Sequence, residues 1–395
     1  MERRDSLTAS ATRAASDNGS AGFPRAGFIG AGFIGRVHAR SARLAGGRIA
    51  GVTASSTEST ERARADLDAA VAFGEAAAMI ASDDIDVIHI CAPNDLHHGL
   101  AKAALEAGKH IVCEKPVALT ADEAADLTAI AERVGLVATV PFAYRYYPTV
   151  REARARVSAG EVGDINLIYG GYLQDWLLDA DDDNWRVDSA RGGRSRAFAD
   201  IGSHWCDLVE FVSGQRIVSL TARTAIAHEE RRESDSRSFE RGSANGTMRR
   251  VDTEDLTTVM FETDAGVIGS ATISQVSPGR KNNLWFEISG TESAVAFNQE
   301  NHEVLWAGDP TGSRLVPRDA NTLHSEAAAY VTLPGGHPQG FHDCFDAFVA
   351  ETYAAIRGDA PADGLPKLED GLRAVRLTEA VLASADSREW VEVAT

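Results

Sequence analysis

The sequence predicts two joined units. Residues 25–145 read as a doubly wound, parallel α/β sheet, and residues 146–395 as an α+β unit built on a large, open, mainly antiparallel sheet. Three observations lead there. Up to about residue 144, short β-branched runs without alternation are separated by Ala-rich helical stretches, as in sheets covered on both faces. Beyond that point apolar residues partly alternate, with turn residues where hairpins belong. The length of 395 residues also exceeds what one core holds and suggests about two domains.

Taken in order, the first 24 residues are rich in Ser, Ala and Thr, lack an apolar stretch, and read as a disordered tail. Arg3 and Arg4 resemble the start of a twin-arginine export signal, but the apolar segment that must follow is missing. Buried strands are expected in IAGVTA (49–54), DVIHICAP (86–93), KHIVCEKP (109–116) and LVATVPF (136–142). Helices are expected over 94–108 and 120–135; the second has Thr120 as its N-cap, Glu123 three places on and Gly135 at its end. Repetition of strand, helix, strand gives the parallel sheet. A helix over 149–159 then leads to strand-like runs in 164–176, 216–227, 255–276 and 284–299, with hairpin turns at 264–266 and 290–292. The charge-mixed stretch 228–250 reads as a mobile loop.

A formal net charge of -19 repels phosphate backbones and anionic lipid surfaces, and no basic patch offsets it, so neither nucleic acid nor a membrane is an expected partner. No apolar run approaches the roughly 20 residues of a membrane helix. Cys91, Cys113, Cys206 and Cys344 form no paired motif, which fits reduced thiols in a cytoplasm. Small molecules are the expected ligands.

The phrase RAGFIGAGFIGRVHAR (25–40) contains GFIG twice, yet only Gly30, Gly32 and Gly35 fit the dinucleotide-binding spacing G-x-G-x-x-G. The first permits a tight turn, the second lets backbone N–H groups approach a pyrophosphate, and the third lets the helix sit close to the sheet. Gly27 then belongs to the strand, while Phe33 and Ile34 open the helix beside the cofactor. This is a Rossmann arrangement for NAD or NADP. After the second strand, Ser55 and Ser56 stand where a carboxylate would bond the ribose of NAD, which favours NADP slightly; Arg62 is placed too far along the next helix to help.

Two further groups carry chemistry. Lys115, in CEKP, lies at the carboxyl edge of the sheet, and Asp200 and His204 are four apart on one helix face. With APNDLHHGLAKAALEAGKHIVCEKP (92–116), YRYYP (144–148) and GGRSRAFADIGSHWCDL (192–208), the chain from residue 25 onward resembles the Gfo/Idh/MocA family of sugar and polyol oxidoreductases. The resemblance implies that Lys115, Asp200 and His204 form the active site, with either His204 or Lys115 as the base. It implies cofactor contacts for Pro93, Asn94, Glu114 and Arg145, and a second domain that supports substrate and a homo-oligomer, a dimer or tetramer. YLQDW (172–176) and NWR (184–186) are similar to a sugar-dehydrogenase subgroup, which points to Asp175, Trp176 and Trp185 as pocket residues for a carbohydrate or cyclitol. His337, near the entry of a C-terminal helix, is a further candidate. His337, His342 and Cys344 lack a metal-ligand spacing, and no metal is expected. The reading is an NAD(P)-dependent dehydrogenase or reductase; the alternatives are a non-catalytic NAD(P)-binding sensor and a glycosidase using transient NAD-mediated oxidation.

Overall fold

A computed structural model describes residues 22–233 and 246–394. The first lobe runs β1 (Arg25–Ile29), α1 (Phe33–Leu44), β2 (Arg48–Thr53), α2 (Thr57–Asp66), β3 (Val71–Ala72), α3 (Ala76–Ile80), β4 (Val87–Ile90), α4 (His97–Glu106), β5 (His110–Cys113), α5 (Ala121–Val134) and β6 (Ala138–Thr139). Its six strands are all parallel, in the order β3-β2-β1-β4-β5-β6. The order reverses between β1 and β4, which opens a crevice at the carboxyl ends of those strands. Local chemistry sets the helix limits: the Thr120 hydroxyl accepts the Glu123 N–H at 3.3 Å, and Gly135 closes α5 in the left-handed region.

The second lobe begins with α6 (Pro148–Ser158) and β7 (Ile165–Leu173), followed by α7 (Ser189–Gly192), α8 (Ser203–Ser213) and β8 (Ile217–Ala225). Next come β9 (Glu230–Arg232), β10 (Met248–Arg250), β11 (Leu256–Thr263), β12 (Ile268–Ser274), β13 (Asn283–Gly290), β14 (Ala294–Asn298), β15 (Val304–Asp309) and β16 (Gly312–Pro317). The chain ends with α9 (Ser325–Ala328), α10 (Phe341–Ile356), α11 (Leu368–Ser387) and β17 (Val391–Glu392). Nine strands form one sheet, β16-β15-β14-β13-β7-β12-β11-β8-β17, antiparallel except for the β7–β12 pair. Alternation of burial along β11, and along β12 as far as Ile273, follows from helices covering only one face. The first half of α11 returns to the first lobe, where Leu368 and Leu372 join the same core as Val117 and Val140.

One expectation changes here. The mobile-loop reading of 228–250 fails at both ends, because β9 and β10 pair as an antiparallel ribbon. The reason is Arg231: its buried guanidinium donates to Asp255 and to the carbonyls of Leu177, Asp179 and Asp182. Residues 234–245, and residues 1–21 of the predicted tail, lie outside the described residues. Asp255 also binds the buried Arg196, so one carboxylate holds two guanidiniums in the interior. Removing such a partner strands the remaining charges, which typically costs about 3–5 kcal/mol.

Candidate active site

The glycines divide as the motif requires. Gly30 has φ +94, and a Cβ there would lie 2.3 Å from the Cys91 carbonyl oxygen. A Cβ on Gly35 would lie 2.4 Å from the Gly30 carbonyl oxygen, so the third glycine is what lets α1 press against the turn. Nothing lies within 4 Å of a Cβ built on Gly32, leaving its backbone open to an incoming group. The α1 N-terminus, with its unpaired N–H groups, suits a pyrophosphate. Gly27 is paired within β1. Phe33 stands 59% exposed on the first turn of α1, and Ile34 is partly buried against the core.

A cleft of about 1880 Å³ follows this edge, with Gly30, Gly32, Ser55 and Pro93 on one wall and Asn184 and Trp185 on the other. Beyond β2, Ser56 does not line it. Its hydroxyl caps α2 by accepting the Ser59 N–H at 3.2 Å. On α2 the hydroxyl that lines the cleft is that of Ser59, which sequence reasoning missed. Arg62 lines it too, contrary to the expectation that it lies too far along the helix, because one turn of α2 brings positions 59 and 62 to the same side. Arg36, one residue after the glycine motif, is a third missed wall residue.

At the other end of the crevice, Lys115 leaves the end of β5 and meets the second lobe. Its Nζ donates to Asp200 Oδ1 at 2.6 Å and to the Asp200 carbonyl at 2.8 Å. Asp200 Oδ2 accepts from Gln275 Nε2 at 2.9 Å, and Arg186 Nε lies 3.5 Å from Oδ1. Asp200 sits in a π turn (Phe198–Gly202) that runs directly into α8, one of the places where such turns mark sites. Glu254 anchors that turn by accepting the N–H groups of Arg196 at 3.0 Å and Phe198 at 2.9 Å.

Burial alone would push the Asp200 carboxyl up, but the charges of Lys115 and Arg186 and the Lys115 hydrogen bond hold it well below the usual range. His204, in the first turn of α8, is driven the other way from charge: burial, reinforced by Lys115, lowers it to about 3, so the imidazole is neutral. Its ring stands edge-on to Tyr144 at 4.8 Å and Phe142 at 5.6 Å. Its Nδ1 is buried with no hydrogen-bond partner among the described residues. A polar chain borders this ring: Tyr144 to Tyr172 at 2.7 Å, Tyr172 to Asn282 at 2.5 Å, and Gln174 to Asn282 at 2.8 Å. Tyr144, Tyr172, Gln174 and Arg186 lie in motifs that the resemblance quotes, though no role was read for them there; Asn282 and Gln275 carried no signal beyond residue type.

The remaining expected residues fall into four groups. Trp185 lines the cleft beneath the Arg186 guanidinium, 4.4 Å from its ring centroid. Asn94 and Glu114 are buried behind the wall: Asn94 donates to the Gly192 carbonyl at 3.0 Å, and Glu114 accepts from His38 at 3.1 Å. Asp175 is held by Lys281 at 2.7 Å, and Trp176 donates to Gln174 at 2.9 Å, one link from the polar chain. Arg145 and His337 are not brought to the cluster. Arg145 is taken up by Asp207, Asp370 and the Gly364 carbonyl, which leaves its buried guanidinium committed to the protein interior. His337 is exposed, and its carbonyl is engaged by Arg318. Among the described residues no group of three or more His, Cys, Asp or Glu side chains is arranged to hold a metal ion.

Comparison with known proteins agrees with this geometry. Residues 24–142 match the oxidoreductase family with an NAD-binding Rossmann fold, and residues 150–296 match the GFO/IDH/MocA C-terminal domain. Levoglucosan dehydrogenase of Pseudarthrobacter phenanthrenivorans is 31% identical over 337 residues, 80% of this chain and 82% of that protein. D-xylose 1-dehydrogenase (NADP(+)) 2 of Haloferax volcanii is 27% identical over 252 residues, 63% of this chain and 76% of that one. The solved structure of levoglucosan dehydrogenase in complex with NADH and levoglucosan superposes with a TM-score of 0.85 at 27% identity, covering 94% of this chain and 100% of that one. A glycine turn built for a dinucleotide, a rim lysine clasped by the second lobe and both family matches together mean that the chain belongs to the GFO/IDH/MocA family of NAD(P)-dependent oxidoreductases.

Proposed function

We propose that the protein moves a hydride between NADP and a secondary hydroxyl or ketone of a sugar, sugar derivative or cyclitol. The observation that carries this reading is the 2.6 Å pair between Lys115 and Asp200, with neutral His204 one turn further along the same helical run. When bound, the nicotinamide supplies the hydride acceptor or donor. His204 takes the hydroxyl proton, since its imidazole is uncharged and its Nδ1 lacks a partner. Lys115, fixed by two bonds to Asp200, presents its remaining N–H to the oxygen that gains charge. The amide groups of Gln174 and Asn282, held by the buried Tyr172 hydroxyl, with the indole of Trp185, offer a carbohydrate both hydrogen bonds and a flat apolar face. The named activities of the levoglucosan and D-xylose relatives support that substrate class.

Preference for NADP rests on Arg36, Ser59 and Arg62, which share a wall of the cleft with Ser55 beyond β2. Positive charge and hydroxyls there suit a 2′-phosphate. We place the protein in a reducing cytoplasm, since the four cysteines are free. We also assign self-association to the uncovered sheet face, where Leu167, Met260, Ile268 and Leu315 are exposed.

Three measurements check the proposal. A screen of sugars and cyclitols against both cofactors should give reduction of the nicotinamide with at least one substrate, and Lys115→Ala should lower kcat by about 10²–10⁴-fold while cofactor affinity changes far less. Binding of NADPH with no turnover of any polyol would favour a sensor, and release of sugar from a glycoside without net reduction would favour hydrolysis. Arg62→Ala should raise KM for NADP about tenfold and leave KM for NAD unchanged; equal effects on both would remove the 2′-phosphate assignment. Because burial has already taken the proton off His204, kcat/KM for oxidation should show no limb of slope one near the ordinary histidine value of 6.5. A rate that climbs steadily with pH instead would shift the base to Lys115.

A further inference from the structure

Behind the cleft wall, four buried groups form a polar chain that the proposed chemistry does not use. Tyr353 Oη on α10 lies 2.8 Å from His89 Nε2 on β4; His89 Nδ1 lies 2.9 Å from His38 Nδ1 on α1; His38 Nε2 lies 3.1 Å from Glu114 Oε1. Glu114 Oε2 accepts the N–H of Lys115 at 3.2 Å. Apolar rings enclose the chain: Phe28 stacks on His89 at 4.6 Å, and Phe345 packs on His38 at 4.8 Å. Tyr353, His89 and His38 are each 0% exposed, so water offers none of them an alternative partner.

The hydrogen-bond inventory gives the chain one direction. Burial would push the Glu114 carboxyl up, but the His38 hydrogen bond, aided by the charge of Lys115, holds it below the usual carboxylate range, so its oxygens only accept and His38 Nε2–H must donate. In a neutral His38, Nδ1 is then an acceptor, and His89 Nδ1–H must be the donor facing it. Burial keeps His89 uncharged, so its Nε2 accepts, and the proton there comes from Tyr353 Oη–H. The reverse arrangement, with a cationic His38, would leave the Tyr353 hydroxyl hydrogen without an acceptor among the described residues in a dry interior. Every member is satisfied only in the forward sense, and a fully satisfied buried network is rigid.

We infer that Tyr353, His89 and His38 are positioning residues: their one-way hydrogen-bond chain fixes the Glu114 carboxylate, which in turn fixes the backbone from which Lys115 reaches Asp200. The chain starts on α10, a helix of the second lobe, and ends at the rim of the first, at the backbone N–H of Lys115. This inference rests on the proposed oxidoreductase chemistry for its effect on rate, but not for the state of the imidazoles.

The test uses the full chain and two readouts. In the ¹⁵N-histidine-labelled protein without ligand, the ring signals of His89, assigned by their loss in His89→Asn, should show the proton on Nδ1, and those of His38 the proton on Nε2. A His89 proton on Nε2, or a doubly protonated His38, would overturn the chain. In steady-state assays, His38→Leu should lower kcat roughly 10- to 100-fold with KM for the cofactor within about twofold. His38→Gln, whose amide offers one donor end and one acceptor but cannot become a cation, should recover kcat to within about threefold of wild type. Equal loss in both variants would overturn the inference, as would unchanged kcat in His38→Leu. If His38→Leu fails to fold, the His38→Gln result and the spectra decide. If wild type turns over no substrate, the functional proposal fails, and the ring spectra still judge the chain.

Discussion

The contact on which the rest depends is the ion pair between Lys115 on the rim of one sheet and Asp200 in the π turn below the other. Both side chains are largely buried, at 11% and 16% exposure, so each opposite charge is paired where water does little to solvate it. That requirement constrains two lobes at once. The parallel sheet must end at the cleft, and α8 must begin there. A charge held this way is oriented before any substrate arrives, which is the condition under which electrostatics accelerate a reaction rather than merely bind a ligand.

Much of the surrounding structure serves to hold those two ends. The π turn is fastened by Glu254, next in sequence to Asp255, which collects Arg196 and Arg231 in the interior. Arg231 brings the β9–β10 ribbon beside the cofactor cleft, where Arg249 and Thr247 form part of the wall. On the first lobe, the Gly30–Gly35 contact brings α1 down onto the turn, and α1 carries His38 toward Glu114. The same helix packs on α10, so the cofactor-binding edge and the second lobe share one buried interface.

Much of this was legible in the sequence. Gly30, Gly32 and Gly35 could be told from Gly27 because only one frame satisfies the spacing, and their three environments differ as that spacing requires. Lys115, Asp200 and His204 were legible by type and by resemblance, and the structure brings them together. Arg62 was misjudged because distance along a chain is a poor guide to distance across a helix turn. Arg145 was misjudged because a sequence does not reveal which carboxylates a buried guanidinium will meet; Asp207 and Asp370 lie 62 and 225 residues away. The 228–250 stretch looked solvated because its composition is charged, yet Arg231 is buried by partners that only the fold supplies. Gln275 and Asn282 were invisible for the same reason: single polar residues at strand ends gain meaning only from what the fold places opposite them.

The most direct measurement of the central claim is a double-mutant cycle on kcat/KM with Lys115→Met, Asp200→Asn and the pair combined. If the two side chains act as one unit across the lobes, the double variant loses about as much as the worse single variant, well short of the product of the two losses. Losses that multiply would mean that the lysine and the carboxylate act independently, and the account of a site assembled by their contact would be contradicted.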